Sequence, residues 1–167
     1  MADHSDIHAL AEKLLDLCRA QSLRLAIAES CTGGLVAGAI TAIPGSSDVF
    51  DRGFVTYSNA AKEEMLGVPA DVLERFGAVS AETARAMAQG AVHRSFADLA
   101  VAVTGVAGPS GGSAEKPVGL VHFACLRKNH GIEHMERRFG PLTREAIREA
   151  SVLQALEMLV AAAQRRP

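Results

Sequence analysis

Leu99 to Thr104 reads LAVAVT, an almost unbroken apolar run of strand length. A segment that short and that uniformly apolar predicts a strand covered on both faces, which forms where helices pack on either side of a sheet. Leu23 to Ala28 (LRLAIA) is a second such run, and Phe50 to Tyr57 is a third, with β-branched and aromatic residues. Around them lie segments of helical character. Asp6 to Ala20 carries Ile7, Leu10, Leu14, Leu17 and Cys18 on one face, and Leu35 to Ile43, Asn59 to Leu66, Pro69 to Phe76 and Ala81 to Ser95 follow. Strands and helices alternating in this way predict an α/β fold, a three-layer α/β/α sandwich around a mixed sheet.

The breaks between elements fit that architecture. Pro44-Gly45-Ser46-Ser47 ends one helix, Gly67 suits a left-handed cap on the next, and Ser80 is a good N-cap for the helix behind it. Pro69 is expected in the first turn of its helix. Val118 to Leu126 and Ile132 to Phe139 predict a hairpin turning at Asn129-His130-Gly131. Thr143 is placed to cap a last helix running to about Gln164.

With 167 residues, no repeat and no evident linker, residues 1–167 are expected to form one domain. The 17 Lys+Arg and 19 Asp+Glu leave a formal charge of −2, which gives no global basic footprint for nucleic acid. The lack of Trp and the single Tyr offer little for stacking single-stranded bases. No segment approaches the roughly 18 consecutive apolar residues of a membrane span. Asp3, Asp6, Glu12 and Asp16 do not read as a secretory leader. Cys18, Cys31 and Cys125 are an odd count without a CxxC, so a reduced, cytoplasmic protein is expected. His4/His8 and His130/His134 stand at i, i+4, the first pair at a fraying terminus and the second across a turn. Neither makes a convincing metal site, and no metal or cofactor is expected.

In open α/β sheets, ligand sites gather beyond the carboxyl ends of the strands. Glu29 to Gly34 and Thr104 to Gly112 both fall there, and both combine hydroxyls with glycine. Ser30 can project from a sharp strand-to-helix turn as a nucleophile, with backbone N–H groups near an incoming oxyanion; it can equally be a helix N-cap. Gly33 and Gly34 allow close backbone approach. Lys62 reads as a desolvated general base or as a solvated surface lysine. Tyr57 is a hydrogen-bond donor at the same strand end or a packing residue. Cys31 is a rival nucleophile or a small buried hydrophobe. The glycines from Gly105 to Gly112 can present donors to a phosphate with Lys116 as counter-charge, or form a plain surface connection. Arg137, Arg138, Arg144 and Arg148 default to solvated or interface roles.

Three motifs in order decide more than spacing does. Ala28-Glu29-Ser30-Cys31-Thr32-Gly33-Gly34 resembles the signature of the CinA C-terminal domain family. Tyr57-Ser58-Asn59-Ala60-Ala61-Lys62 is similar to its second motif, and Thr104 to Gly112, continuing through Lys116-Pro117-Val118-Gly119, to its third. The match runs from about Ala9 to Leu159. Stand-alone members resemble nicotinamide-nucleotide amidases, which turn nicotinamide mononucleotide into nicotinic acid mononucleotide and ammonia without a metal. The resemblance implies Ser30 as nucleophile, Lys62 as base and Tyr57 as supporting donor. It implies Cys31, Thr32, Gly33, Gly34, Thr104, Gly105 and Gly108 as substrate-binding residues. The expected partner is a small-molecule nucleotide substrate, with neither nucleic acid nor membrane. The Ala-rich last helix suits a homo-oligomer, a dimer in the first instance. A non-catalytic nucleotide-binding or regulatory module with the same pocket is the alternative. One departure stands out: where the family often has Gly-Asp-Arg before the last helix, this chain has Thr143-Arg144.

Overall fold

The computed structural model describes residues 3–166; the ends of the expected 1–167 span lie outside them. Twelve elements follow in order: α1 (His4–Gln21), β1 (Leu25–Glu29), α2 (Leu35–Thr41), a short 3-10 turn (Ser46–Asp48), β2 (Phe50–Val55), α3 (Asn59–Leu66), α4 (Ala70–Phe76), α5 (Ala81–His93), β3 (Leu99–Gly105), β4 (Leu120–Arg127), β5 (Gly131–Arg138) and α6 (Arg144–Gln164). The sheet order is β2-β1-β3-β4-β5. β1 runs parallel to β2 and β3, while β4 and β5 form an antiparallel hairpin on one edge. This is the expected sandwich around a mixed sheet.

The two faces of the sheet are filled differently. Leu25, Ile27, Leu99, Val101, Val103 and Phe123 point into a core shared with α1, α2 and α6. Their strand neighbours Ala26, Ala28, Ala100, Ala102 and Ala124 point the other way, against α5 and α3. Strand side chains alternate between faces, so one face is a floor of large aliphatics and the other a floor of alanines. Each buried Leu, Ile, Val or Phe contributes about 1.5–3 kcal/mol of transfer free energy. The alanine floor contributes less but lets α5 sit close to the strands. On α5, Gly90 does the same for α3: a Cβ there would collide with the Leu66 carbonyl. Both features bring α3 down toward the sheet end.

Local sequence explains the element ends. Asp3 caps α1 by accepting from Ser5 N–H, which starts the helix at His4, ahead of the expected Asp6. Ser22 closes it in the left-handed region, so β1 begins at Leu25 rather than Leu23. α3 has the expected bounds, with Ser58 as N-cap and Gly67 at φ 67° as C-cap. Pro69 stands at the N-cap of α4 and not in its first turn. The hairpin turns as expected, with Asn129 and Gly131 at positive φ. Thr143 caps α6 through Ala146 N–H.

Candidate active site

Ser30 follows β1 directly, and its N–H extends the ladder to Val103 O at 2.9 Å. The turn after it is fastened to the next helix by Glu29. Glu29 is buried, and its carboxylate accepts from Val36 N–H and Ala37 N–H at 2.9 and 3.0 Å. Those are first-turn amides of α2, whose own N-cap, Gly34, has no side chain to offer. An anion at a helix N-terminus satisfies the orphan donors and the local dipole together. The Glu29 carbonyl receives Thr56 N–H at 2.8 Å, tying the segment after β2 to the same point.

Lys62 enters from α3. Only 1% of it is exposed, its Nζ lies 2.9 Å from Ser30 Oγ, and it donates to the Thr56 carbonyl at 2.7 Å. Both partners are neutral oxygens. Burial holds the amine below its ordinary range, against a smaller opposing effect from Cys31. An amine kept neutral can donate one N–H to Thr56 O and accept the Ser30 hydroxyl proton on its lone pair. The solvated reading of Lys62 is thereby overturned. Cys31 is buried beside it, and desolvation pushes its thiol up to about 12. A thiol that stays protonated is a poor nucleophile. Cys18 and Cys125 are likewise free and buried.

A cavity of about 290 Å³ opens over the pair, small for a ligand site. Ser30, Cys31, Lys62 and Tyr57 line it on one side. Thr104, Gly105 and Gly108 line it on the other, together with Ala78, Ser110 and Gly111. Thr104 Oγ1 donates to Ala78 O at 2.7 Å, which joins β3 to the approach to α5. Of the ten residues singled out in the sequence, Thr32, Gly33 and Gly34 do not line this cavity. Gly34 faces a separate groove of about 530 Å³ between α1, α2 and α6. Thr32 is buried, and its Oγ1 has no partner, alone among the buried side-chain polar atoms described.

Several roles differ from the sequence reading. Arg144 bridges the cavity mouth, donating to the Gly108 carbonyl at 2.8 Å and to Tyr57 Oη at 2.7 Å. Arg148, one turn later, donates to the carbonyls of Cys31 and Thr32. Neither is merely solvated. Lys116 does not reach the cavity, because its ammonium donates to Phe76 O at 2.6 Å. Thr143 performs the capping that an aspartate would perform, since both are good N-cap residues. His134 Nε2 meets His122 Nδ1 across the β4–β5 hairpin at 2.9 Å, and does not meet His130. Burial, and then the neighbouring imidazole, push His122 below the ordinary range. Among the described residues no group of three or more His, Cys, Asp or Glu is placed to hold a metal ion. No helix described is long and apolar enough to cross a membrane. Of the α6 alanines, Ala155, Ala162 and Ala163 are buried, Ala146 and Ala150 are half-buried and Ala161 is exposed.

Thr56 and Glu29 escaped the sequence reading. For Glu29 a signal existed: an acid just ahead of a helix whose N-cap is glycine. For Thr56, which acts through its carbonyl, there was none.

Comparison with known proteins places this geometry. The family model of the CinA C-terminal domain matches residues 7–163. The chain belongs to the CinA C-terminal domain family. The structure of the competence/damage inducible protein CihA from Agrobacterium tumefaciens superposes with a TM-score of 0.94 at 57% identity, covering 95% of this chain and 96% of that one. The CinA superfamily protein of Escherichia coli gives 0.90 at 37% identity, over 97% and 93%. The nicotinamide-nucleotide amidohydrolase PncC of Enterobacter agglomerans is 48% identical over 90% of this chain and 92% of its own. A putative competence-damage inducible protein of Caldicellulosiruptor bescii is 49% identical over 92% of this chain, which spans only 37% of that relative. CinA domains thus occur both nearly alone and within longer proteins.

Proposed function

We propose that this chain hydrolyses the carboxamide of nicotinamide mononucleotide to nicotinic acid mononucleotide and ammonia through an acyl-enzyme on Ser30. The observation that carries the reading is the buried Lys62 amine, 2.9 Å from Ser30 Oγ and held below its ordinary pKa by burial. The PncC relative, matched nearly end to end, supports the substrate.

In this mechanism neutral Lys62 takes the Ser30 proton as Oγ attacks the carboxamide carbon. The carbonyl π pair moves to oxygen, and free backbone N–H groups after Ser30 receive that oxyanion. One such donor is worth about 2.7–4 kcal/mol in comparable sites. Protonated Lys62 then returns its proton to the departing amide nitrogen, which leaves as ammonia. Water attacks the ester with Lys62 again as base, releasing the acid and restoring Ser30. Arg144 and the glycine loop take the ribose phosphate. No described residue accepts from the N–H of Ala107, Gly108, Ser110 or Gly111, which leaves four donors for a phosphate. Tyr57, 62% exposed, accepts from Arg144 and so helps present that cation at the mouth. A homo-oligomer is supported by the exposed apolar side chains of Leu35 and Val55. A reducing, cytoplasmic setting is supported by the three free thiols.

Ammonia release from nicotinamide mononucleotide, with EDTA present, tests this directly. Release by wild type and none by Ser30→Ala is the expected result. Release by both, or by neither, would sink the assignment; in the second case tight nucleotide binding without turnover would favour a regulatory module.

A further inference from the structure

Arg148 stands outside the catalytic cavity, on the wall of the groove between α1, α2 and α6. Its guanidinium nevertheless reaches the nucleophile turn: Nε donates to the Cys31 carbonyl at 3.2 Å and Nη2 to the Thr32 carbonyl at 3.1 Å. Glu145 and Glu149 line the same groove, yet Arg148 makes no ion pair with either. A cation that passes over carboxylates to hold two carbonyls fixes backbone direction rather than balancing charge.

The consequence follows from peptide planarity. In a trans peptide the N–H points opposite to the C=O, so holding the Cys31 carbonyl toward α6 turns the Thr32 N–H away from α6. No other described residue accepts from that N–H, and the N–H of Cys31 lies against its own thiol. The third amide of the turn is already used, since Gly33 N–H donates to Ser30 O at 3.1 Å. Gly33 itself makes room for the contact. It sits at φ +57°, and a Cβ there would lie 3.2 Å from Arg148 Nη2.

We propose that Arg148 is a positioning residue for hydrolysis, clamping the Cys31 and Thr32 carbonyls so that the turn holds Ser30 Oγ in its attacking geometry beside Lys62 at the cavity. The inference rests on Ser30 being the nucleophile, not on the identity of the amide. A lysine presents one ammonium and cannot reproduce a planar fork on two carbonyls.

The test uses acylation of Ser30 by p-nitrophenyl acetate, read as p-nitrophenolate release and as an acetyl group on Ser30 by mass spectrometry. The acetyl carbon bonds to Oγ, p-nitrophenolate leaves with the electron pair, and Lys62 holds the serine proton. Arg148→Ala is expected to slow acylation roughly 100-fold, the scale on which a reacting group displaced by about an ångström loses rate. Arg148→Lys should recover little of that loss. Guanidinium ion should restore much of the rate to Arg148→Ala at concentrations well below those that unfold the chain, entering through the open groove of about 530 Å³. The acid limb of the rate profile, set by Lys62, should not move. An Arg148→Ala rate equal to wild type overturns the inference, as does an acid limb displaced along with the loss, or a folded variant whose loss guanidinium does not repair. Wild type that is not acylated at Ser30 overturns this inference together with the nucleophile. Wild type acylated at Ser30 but inert toward nicotinamide mononucleotide overturns only the substrate.

Discussion

The turn after β1 and the loop after β3 both leave the carboxyl end of a buried strand, and both end up against the same cavity, yet they are held very differently. Residues 30–34 are fastened by the Glu29 carboxylate, by the Arg148 guanidinium and by their own Gly33-to-Ser30 hydrogen bond. From Ala107 to Gly112 the loop has no such harness beyond the Arg144 contact to Gly108 O, and its tip is exposed. On the proposed mechanism, the side that would form and break a covalent bond is the fastened one, and the side that would accept a charged group keeps its donors free. Preorganised geometry lowers a chemical barrier, whereas a ligand's phosphate can order a glycine loop as it binds.

Variants of the two segments should therefore fail in different ways. Lys62→Met on the rigid side should lower turnover by about 10⁴-fold, the scale on which nucleophile–base pairs act as a unit. In wild type the rate should fall as pH drops through the lowered Lys62 pKa, because the protonated amine cannot take the serine proton. The same depressed pKa has a stability consequence. Between it and about 10.4 the unfolded chain binds the extra proton, so stability rises with pH across that window. Lys62→Met should flatten that rise in thermal unfolding midpoints. A methionine variant that keeps its activity would break the comparison outright.

Glu29→Ala should come next. It strands one buried and one part-buried amide, which costs about 1–3 kcal/mol of stability for the first and less for the second, and it loosens the turn so that turnover drops roughly 10-fold. Calorimetry and the ammonia assay read both effects; an unchanged midpoint would show that the carboxylate does not hold the turn. The smallest effect should be on the open side. Arg144→Gln should raise KM for the nucleotide about 10-fold, as loss of one charge-assisted contact does, while leaving acylation by p-nitrophenyl acetate within about two-fold. A loss of acylation there would mean that the mouth, too, takes part in the chemistry.

The order of layers was legible because it rests on local pattern. LAVAVT has no alternative to burial, Ser58 and Gly67 bracket α3, Thr143 caps α6, and Asn129 with Gly131 turns the hairpin. Misjudged ends came from competing local chemistry, as where Asp3 extended α1. For the site, the strand ends marked Ser30 and Thr104, Lys62 and Tyr57 stood beside them as open candidates, and the resemblance to the family gave those two their expected roles. The sequence alone left Lys62 between surface and interior, because its burial depends on how closely α3 can approach. That distance is set by the alanine floor and by Gly90 against Leu66 O. Lys116 was the expected counter-charge for a phosphate and Arg144 a solvated or interface residue, until packing gave the first to Phe76 O and brought the second to the cavity mouth. Sequence by itself determined which segments are strands, where they end and which hydroxyls stand there, since hydropathy period and turn chemistry act over a few residues. Tertiary structure alone decided that an amine is desolvated beside a serine and that an arginine from the last helix holds the turn behind it. Burial and hydrogen-bond partnership between distant segments are properties of the packed chain.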